Sequence, residues 1–194
     1  MYDFFLASLR KYINISPEEA DLLMSKLTVR KVRKKQWLVT PGEPCKTQYL
    51  VSQGCFRAYF LHENGNQHIT KFASEGWWIT DIESFFNGTA ATLYVEALED
   101  GEVIPVHNDI LEQLYEQVPQ LNKYFRLVYQ KALVHCSQRV LRTISASATE
   151  HYERFLALYP NLEQRIPQYM VASYLGITPE FFSKVKMQVM RKVT

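Results

Sequence analysis

Six side chains near the carboxyl-terminal end of the chain are of types that suit reading base edges in DNA. Glutamate can accept from the cytosine amino group, lysine can donate to guanine or phosphate, glutamine can pair with adenine, and an aromatic edge can meet a thymine methyl. The other face of the same predicted helix carries Phe182, Val185 and Val189 at helical spacing, so it turns inward. The candidate DNA-contacting residues are Thr178, Glu180, Phe181, Ser183, Lys184 and Gln188.

The segment 166–190, IPQYMVASYLGITPEFFSKVKMQVM, carries the signals that would position this face. Its small and apolar residues suit two helices that cross closely, and Gly176 is the residue type that adopts positive φ cheaply at a tight turn. Thr178 is a good N-cap, and Pro179 suits the first helical position because its missing N–H would be unpaired there. The pattern predicts a helix-turn-helix that binds DNA.

Basic charge is concentrated in this region. The whole chain carries +2, whereas residues 165–194 hold five basic residues against one acid, Glu180. Localised positive charge is typical of a nucleic-acid surface. The alternatives are a structural helix pair with a solvated basic face, or a helix-turn-helix that binds protein. The five basic residues are Arg165, Lys184, Lys186, Arg191 and Lys192.

Composition indicates an ordinary globular protein of one to two domains, with 194 residues, 47% hydrophobic and 22% charged. The first twelve residues have no basic leader and no unbroken apolar run, so we expect a cytoplasmic protein without a membrane span. Three cysteines without a CxxC pair favour free thiols over a disulfide framework or a metal site.

The remaining chain divides into a short helix, a β-rich stretch and a long helix. Ser16 to Glu19 form a capping box for a helix ending near Leu27, and Asn64-Gly65 predicts a hairpin with a type I′ turn. Turn signals between many short apolar runs predict a closed sandwich or barrel over 28–107. The predicted strands are Gln36–Val39, Tyr49–Val51, Phe56–Leu61, Ile69–Phe72, Leu93–Leu98 and Val103–Val106.

The long helix is predicted from Asn108, as N-cap, to Ser145, with one interruption at Pro119. One apolar stripe can cover the β domain, and the second favours the same helix of another subunit, in a homodimer. The alternative is that one chain covers both stripes. The first stripe is Leu121, Phe125, Val128, Ala132 and Cys136, and the second is Leu133, Val140, Leu141 and Ile144.

This layout resembles the Crp/Fnr family of bacterial transcription regulators. YLGITPEFFSKV is similar to the family's recognition region, and the segment 76–100, GWWITDIESFFNGTAATLYVEALED, is similar to its phosphate-binding cassette. The resemblance implies an α+β fold with an antiparallel, jelly-roll-like β-roll over 1–107, a dimerisation helix over 108–145 and a DNA-binding domain over 146–194. It implies a transcription regulator rather than an enzyme. Its partners would be a palindromic DNA operator, a small-molecule effector that the residues do not identify, and RNA polymerase.

The recognition region departs from the family at one position and at its end. Glu180 and Lys184 match the family's base-contacting glutamate and a nearby basic position, but Pro179 stands where an arginine is usual. The operator should therefore differ from the usual one. Because Thr194 follows the second helix closely, we expect the domain to lack the family's β-hairpin wing.

The cassette departs further. Matching without gaps places Thr80 on the family's glycine, Asp81 on its glutamate, Ala91 on its phosphate-binding arginine and Thr92 on the adjacent hydroxyl residue. Without the guanidinium, binding a buried phosphate would cost several kcal/mol, so we expect a degenerate pocket that does not take cAMP or cGMP in the usual way. Lys71 or Arg57 as a substitute cation, a less anionic aromatic ligand, or no ligand remain alternatives. The candidate pocket residues are Trp78, Asp81, Ala91, Thr92 and Tyr94.

No cofactor or metal is expected. No cysteine precedes Cys45, unlike in iron–sulfur members, and nothing in the spacing of His62, His68 or His107 selects a haem ligand. A cupin-like metalloenzyme is disfavoured because no His-x-His occurs. The basic run 30–35 is expected to be a solvated strand or turn, with auxiliary contact to DNA phosphates as the alternative.

Overall fold

The computed structural model describes residues 3–193, and its β-roll consists of two four-stranded antiparallel sheets. One sheet has the order β1-β8-β3-β6 and the other β2-β7-β4-β5, with the apolar core between them. The predicted α+β fold with an antiparallel β-roll is confirmed. The strands are β1 Arg30–Val32, β2 Trp37–Val39, β3 Thr47–Gln53, β4 Phe56–Leu61, β5 Gln67–Ala73, β6 Trp78–Ile79, β7 Tyr94–Ala97 and β8 Gly101–His107.

The strands agree with the sequence patterns except where an element is very short. Each of the six predicted strands corresponds to an observed one, and β4 has the predicted bounds. The two-residue strand β6 was not predicted, because two residues carry no periodicity. The basic run begins as β1 and continues into a turn in which Lys35 has φ 67°, so it is a strand and turn as expected.

The hairpin between β4 and β5 exists, but its predicted type I′ turn is wrong. The strands end at Leu61 and resume at Gln67, so the connection is longer than two residues. His62 accepts from the Gly65 N–H at 2.8 Å, and only Gly65 of the Asn64-Gly65 pair has positive φ, at 84°. This is the geometry of a type I turn followed by a left-handed glycine.

Helices flank the roll at both ends of the chain. The capping box at Ser16 is present, and Pro119 separates α4 from α5 as predicted. The N-cap of α4 is His107 rather than Asn108, since the His107 ring accepts from the Asp109 N–H. The helices are α1 Asp3–Arg10, α2 Pro17–Lys26, α3 Ile82–Asn87, α4 Asn108–Gln117, α5 Gln120–Ser145, α6 Ala148–Leu158, α7 Leu162–Arg165, α8 Gln168–Leu175 and α9 Pro179–Val193.

The carboxyl-terminal helices dock on the sheet that contains β4 and β5. Phe72 and Tyr59 of these strands share one apolar core with Phe155, Tyr159 and Met170 from α6 to α8. The Phe72 ring lies edge-on to the Phe155 and Tyr159 rings, with centroids 6.1 Å and 5.9 Å away. The sequence did not predict this packing, which holds the helix-turn-helix against the roll. None of the helices described for residues 3–193 combines the length and the apolar character needed to cross a bilayer.

Candidate nucleic-acid interface

The helix-turn-helix is formed by α8 and α9 around Gly176. Gly176 has φ 72°, and the Ile177 N–H donates to the Ala172 carbonyl at 3.1 Å, so the end of α8 closes in a left-handed cap. Val171, Ala172 and Phe182 are fully buried between the two helices. The predicted helix-turn-helix is confirmed.

The six candidate DNA-contacting side chains are all exposed on the side of α9 away from this core. Four of them also have partners within the chain, and one of these is Glu180, which is hydrogen-bonded to Thr178. The Thr178 hydroxyl accepts from the Phe181 N–H at 3.2 Å, as an N-cap should, and the Ser183 hydroxyl donates to the Pro179 carbonyl at 3.1 Å. Gln188 accepts from Thr149 at 3.3 Å. Their assignment as base contacts stays a prediction.

Glu180 and Lys184 are the two charged side chains best presented to a ligand. Hydrogen bonds from its own backbone N–H and from Thr178 lower the pKa of Glu180, so its carboxylate is ionised at neutral pH and acts as an acceptor. Within the described part of the chain, Lys184 makes no hydrogen bond or ion pair, and its ammonium is exposed. Lys184 can therefore meet a base or phosphate without first breaking an intramolecular pair, whereas Glu180 can accept from a base amino group while it keeps or exchanges its hydrogen bond with Thr178.

The basic surface around α9 is smaller than the sequence count implied. Arg165 forms a paired contact with Glu75, at 3.0 and 3.1 Å, and also contacts Glu99. Lys186 pairs with Glu163. These acids lie outside the carboxyl-terminal segment, so the local charge count missed them, and the side chain of Lys192 lies outside the described residues.

The side chain of Arg139 in α5 stabilises the docked position of the helix-turn-helix. Its guanidinium donates to the carbonyls of Thr70, Ile69 at 3.3 Å and Tyr174 at 3.2 Å, and it lies over the Tyr174 ring at 4.4 Å from the centroid. One side chain thus joins the roll, the long helix and the helix-turn-helix. Sequence reasoning missed it, because backbone carbonyls leave no signature in the sequence.

Asp81 occupies the centre of the cassette, where it caps α3 and is only 2% exposed. One carboxylate oxygen accepts from the Thr92 N–H at 2.8 Å, the Leu93 N–H at 3.0 Å and the Thr92 hydroxyl at 3.4 Å. The other accepts from the Ser84 N–H at 3.3 Å. The carboxylate therefore occupies the backbone donors of Thr92 and Leu93, inside the segment that resembles the phosphate-binding cassette.

The other candidate pocket residues lie in separate environments. Trp78 is buried, and its indole N–H donates to the Tyr124 hydroxyl at 3.1 Å. Ala91 is buried in the core of the roll, whereas Tyr94 stacks on Tyr59 at 5.1 Å on the side facing the helices. Thr92 is exposed. The structure does not gather these side chains around one cavity, and their role in effector binding stays a prediction.

The two alternative cations of the roll are already engaged. Arg57 is buried and pairs with Glu96 at 2.7 Å. Lys71 donates to the Trp78 carbonyl at 2.7 Å, and burial lowers its pKa to about 8. Neither contacts Thr92 or Asp81, so neither replaces the missing arginine. Among residues 3–193 no group of three or more His, Cys, Asp and Glu side chains is arranged to hold a metal ion.

Substituting Asp81 with Asn is expected to destabilise the fold by about 1–3 kcal/mol. In Asp81 the two carboxylate oxygens together accept from three backbone N–H groups. An asparagine amide has only one acceptor oxygen, so at least one buried N–H loses its partner. Urea unfolding measures the change. Glu83→Gln, at an exposed site on the same helix, is the matched control and should be neutral. Equal stability of the Asp81 variant and the parent would contradict this role.

The second apolar stripe of α5 is not covered by any residue that the structure describes. Ile144 is 81% exposed and Leu141 65%, and Leu133 and Val140 are also exposed. The first stripe packs on the roll only in its amino-terminal part, because Leu121 and Phe125 are buried while Ala132 and Cys136 are exposed. The stripe therefore covers the roll with apolar side chains only as far as Val128 and Tyr129, and beyond them α5 contacts the roll through the polar side chain of Arg139.

Known proteins are similar to this chain in sequence and in fold. Residues 29–118 match the cyclic nucleotide-binding domain family. The anaerobic regulatory protein of Pasteurella multocida is 23% identical over 88% of this chain and 66% of its own length. The fumarate and nitrate reduction regulatory protein of Vibrio cholerae is 24% identical over 79% of this chain and 65% of its own length. The chain thus spans just under two thirds of these relatives.

A solved structure has the same architecture. FixK2 from Bradyrhizobium japonicum superposes with a TM-score of 0.74 at 22% identity, covering 86% of this chain and 85% of that one. The relatives named here are regulatory proteins rather than enzymes. The resemblance is thereby confirmed: the chain is similar to the Crp/Fnr regulators, and its residues 29–118 match the cyclic nucleotide-binding domain family.

Proposed function

We propose that this protein is a dimeric, sequence-specific DNA-binding regulator of transcription whose effector pocket is degenerate. The observation that carries the proposal is the exposed face of α9, which presents Glu180 and Lys184 on a helix buried on its other side. A helix held in this way can enter a major groove and bring its amino-terminal side chains to base edges. The small side chain of Ala172, at the point where the two helices cross, fixes the angle between α9 and α8.

The exposed stripe of α5 supports a second copy of the chain as the partner. Leu133, Val140 and Ile144, with Ser137 between them, recur at intervals of four, three and four residues, which is the spacing of a coiled-coil seam. The helix has 26 residues and is therefore about 39 Å long. A twofold pair would carry two recognition helices about 34 Å apart, one turn of DNA, and so favours a palindromic operator.

Asp81 supports the degenerate pocket. A cyclic phosphate bound at Thr92 would have to displace the carboxylate from its backbone donors. It would also lie beside that negative charge without a guanidinium, since Ala91 replaces the arginine that the family resemblance implies. The protein would therefore bind its operator without cAMP.

Salt dependence is the test of DNA binding. If each subunit neutralises about two phosphates, affinity of the dimer for duplex DNA should fall about a hundredfold between about 50 and 200 mM salt. Fluorescence anisotropy with a labelled duplex measures this slope. Absence of binding at low salt would overturn the proposal, as would an affinity that does not depend on salt.

Exposed apolar groups on α9 favour one rival function, a helix-turn-helix that binds another protein. Phe181 is 49% exposed and Met187 54%, and both lie on the proposed DNA-reading face. A surface of this kind can also pack against a protein partner. If the helix-turn-helix binds protein instead, Phe181→Ala should leave the affinity for DNA unchanged. The DNA-binding proposal predicts a loss confined to sites with a thymine at the contacted position.

A further inference from the structure

A cavity of about 240 Å³ lies where β5, α5, α6 and α8 meet. Its floor is apolar and includes Ile69 and Phe155, and its rim is basic. Among the described residues, no aspartate or glutamate lines the cavity. It shares no residue with the cassette around Asp81. The arginine and histidine side chains that line it are Arg139, Arg142, Arg154, His68, His135 and His151, and Tyr174 adds a phenol.

The lowered pKa of His135 reflects its burial and the positive charge around this cavity. Burial lowers the pKa of its imidazole first, and Lys71, Arg139, Arg142 and Arg154 lower it further. Cations from three different elements, β5, α5 and α6, thus act on one ring. Positive charge gathered in a concave site with apolar walls raises the local concentration of anions.

Two of the arginines keep donors for a ligand. Arg139 donates three hydrogen bonds to backbone carbonyls, and its role is to join the elements that form the cavity. Arg142 donates one hydrogen bond, to Gln138 at 2.9 Å. Arg154 is exposed and makes no hydrogen bond or ion pair with any residue that the structure describes. A guanidinium has five N–H donors, so several remain unused.

We propose that this cavity binds a small, multiply charged anion that carries a phosphate or diphosphate group. Planar guanidinium groups pair with phosphate oxygens through two parallel hydrogen bonds, a geometry that an ammonium cannot match. The volume is several times the roughly 30 Å³ that one water molecule occupies in the liquid. A ligand held there touches the roll, the long helix and the helix-turn-helix at once, so it stabilises their docked arrangement.

The test uses sodium pyrophosphate as the probe and the full chain without DNA, so it is independent of the regulator proposal. Isothermal titration calorimetry at fixed ionic strength should show saturable binding of one pyrophosphate per chain, with sodium sulfate binding more weakly. Arg154→Gln and Arg142→Gln should each weaken binding about tenfold or more, because each removes a charge-assisted pair. Arg10→Gln, an exposed arginine of α1, is the matched control and should change nothing.

A second readout separates ligand contact from a change in folding. Saturating pyrophosphate should raise the pKa of His135, since it adds negative charge to a site where Lys71 and three arginines lower that pKa. An NMR titration of the imidazole measures this, and the melting temperature shows that Arg154→Gln is folded. No saturable binding would overturn the proposal, as would parent-like affinity of both variants. Loss of duplex DNA affinity in Arg154→Gln, without pyrophosphate binding by the parent, would assign the cluster to the DNA surface instead.

Discussion

Replacing Glu180 and Lys184 together with alanine is expected to lower affinity for the operator by about a hundredfold or more. Each specific base contact contributes about 1–3 kcal/mol of discrimination, and the two side chains lie one helical turn apart on the exposed face of α9. Neither is buried, so the variant should keep the fold and most of its weak affinity for random DNA. Competition binding against random duplex measures both affinities.

Lys123→Ala is the matched control for this prediction. Lys123 is exposed on α5, far along the chain from the helix-turn-helix, and its removal changes the net charge without changing the recognition face. It should leave the ratio of specific to random affinity unchanged. If the double variant also kept that ratio, Glu180 and Lys184 would not be the residues that read the sequence.

Introducing glutamate at Leu141 and Ile144 is expected to convert the protein from a dimer to a monomer. Both side chains are exposed in the single chain, so the substitutions remove no intrachain packing. In a pair of helices they would bury four carboxylates at one seam, and burial of unpaired charge costs several kcal/mol for each group. Sedimentation velocity at micromolar concentration measures the change in mass. Operator affinity should fall with it, since one half-site binds alone.

Asn122→Glu controls for the added charge in that experiment. It lies in the first turn of α5, where an acid suits the positive end of the helix, and it is exposed outside the apolar stripe. This variant should remain dimeric. A double variant that still sediments as a dimer would show that another surface joins the subunits.

The local parts of the fold could be predicted from the sequence. Gly176 and Pro179 act through their own backbone preferences and Thr178 through a hydrogen bond to the N–H three residues on, so the turn and the start of α9 follow from local residue types. The long helices and the apolar strands could also be predicted, because the periodicity of apolar residues is likewise a local property of the sequence. The Asn64-Gly65 turn was assigned the wrong type because the type depends on where the flanking strands stop, which alternation defines only to within a few residues.

The candidate sites could be predicted only in part, because their remaining contacts join distant parts of the chain. The sequence match names Asp81 as a candidate pocket residue, and the structure adds that its carboxylate is itself bound by N–H groups eleven and twelve residues away. Arg139 contacts carbonyls 69 and 70 positions away, as well as one 35 positions away. Backbone groups are present at every residue, so no residue type marks them as partners.

The arrangement of sites selected from a library of random DNA duplexes tests the central claim most directly. Two recognition helices carried by one pair of long helices predict an enriched motif with twofold symmetry, whose half-sites are centred about 10 base pairs apart. Inserting about five base pairs between the half-sites should then abolish tight binding, because it turns one half-site to the opposite side of the DNA. An enriched motif without symmetry, or no enrichment at low salt, would contradict the account.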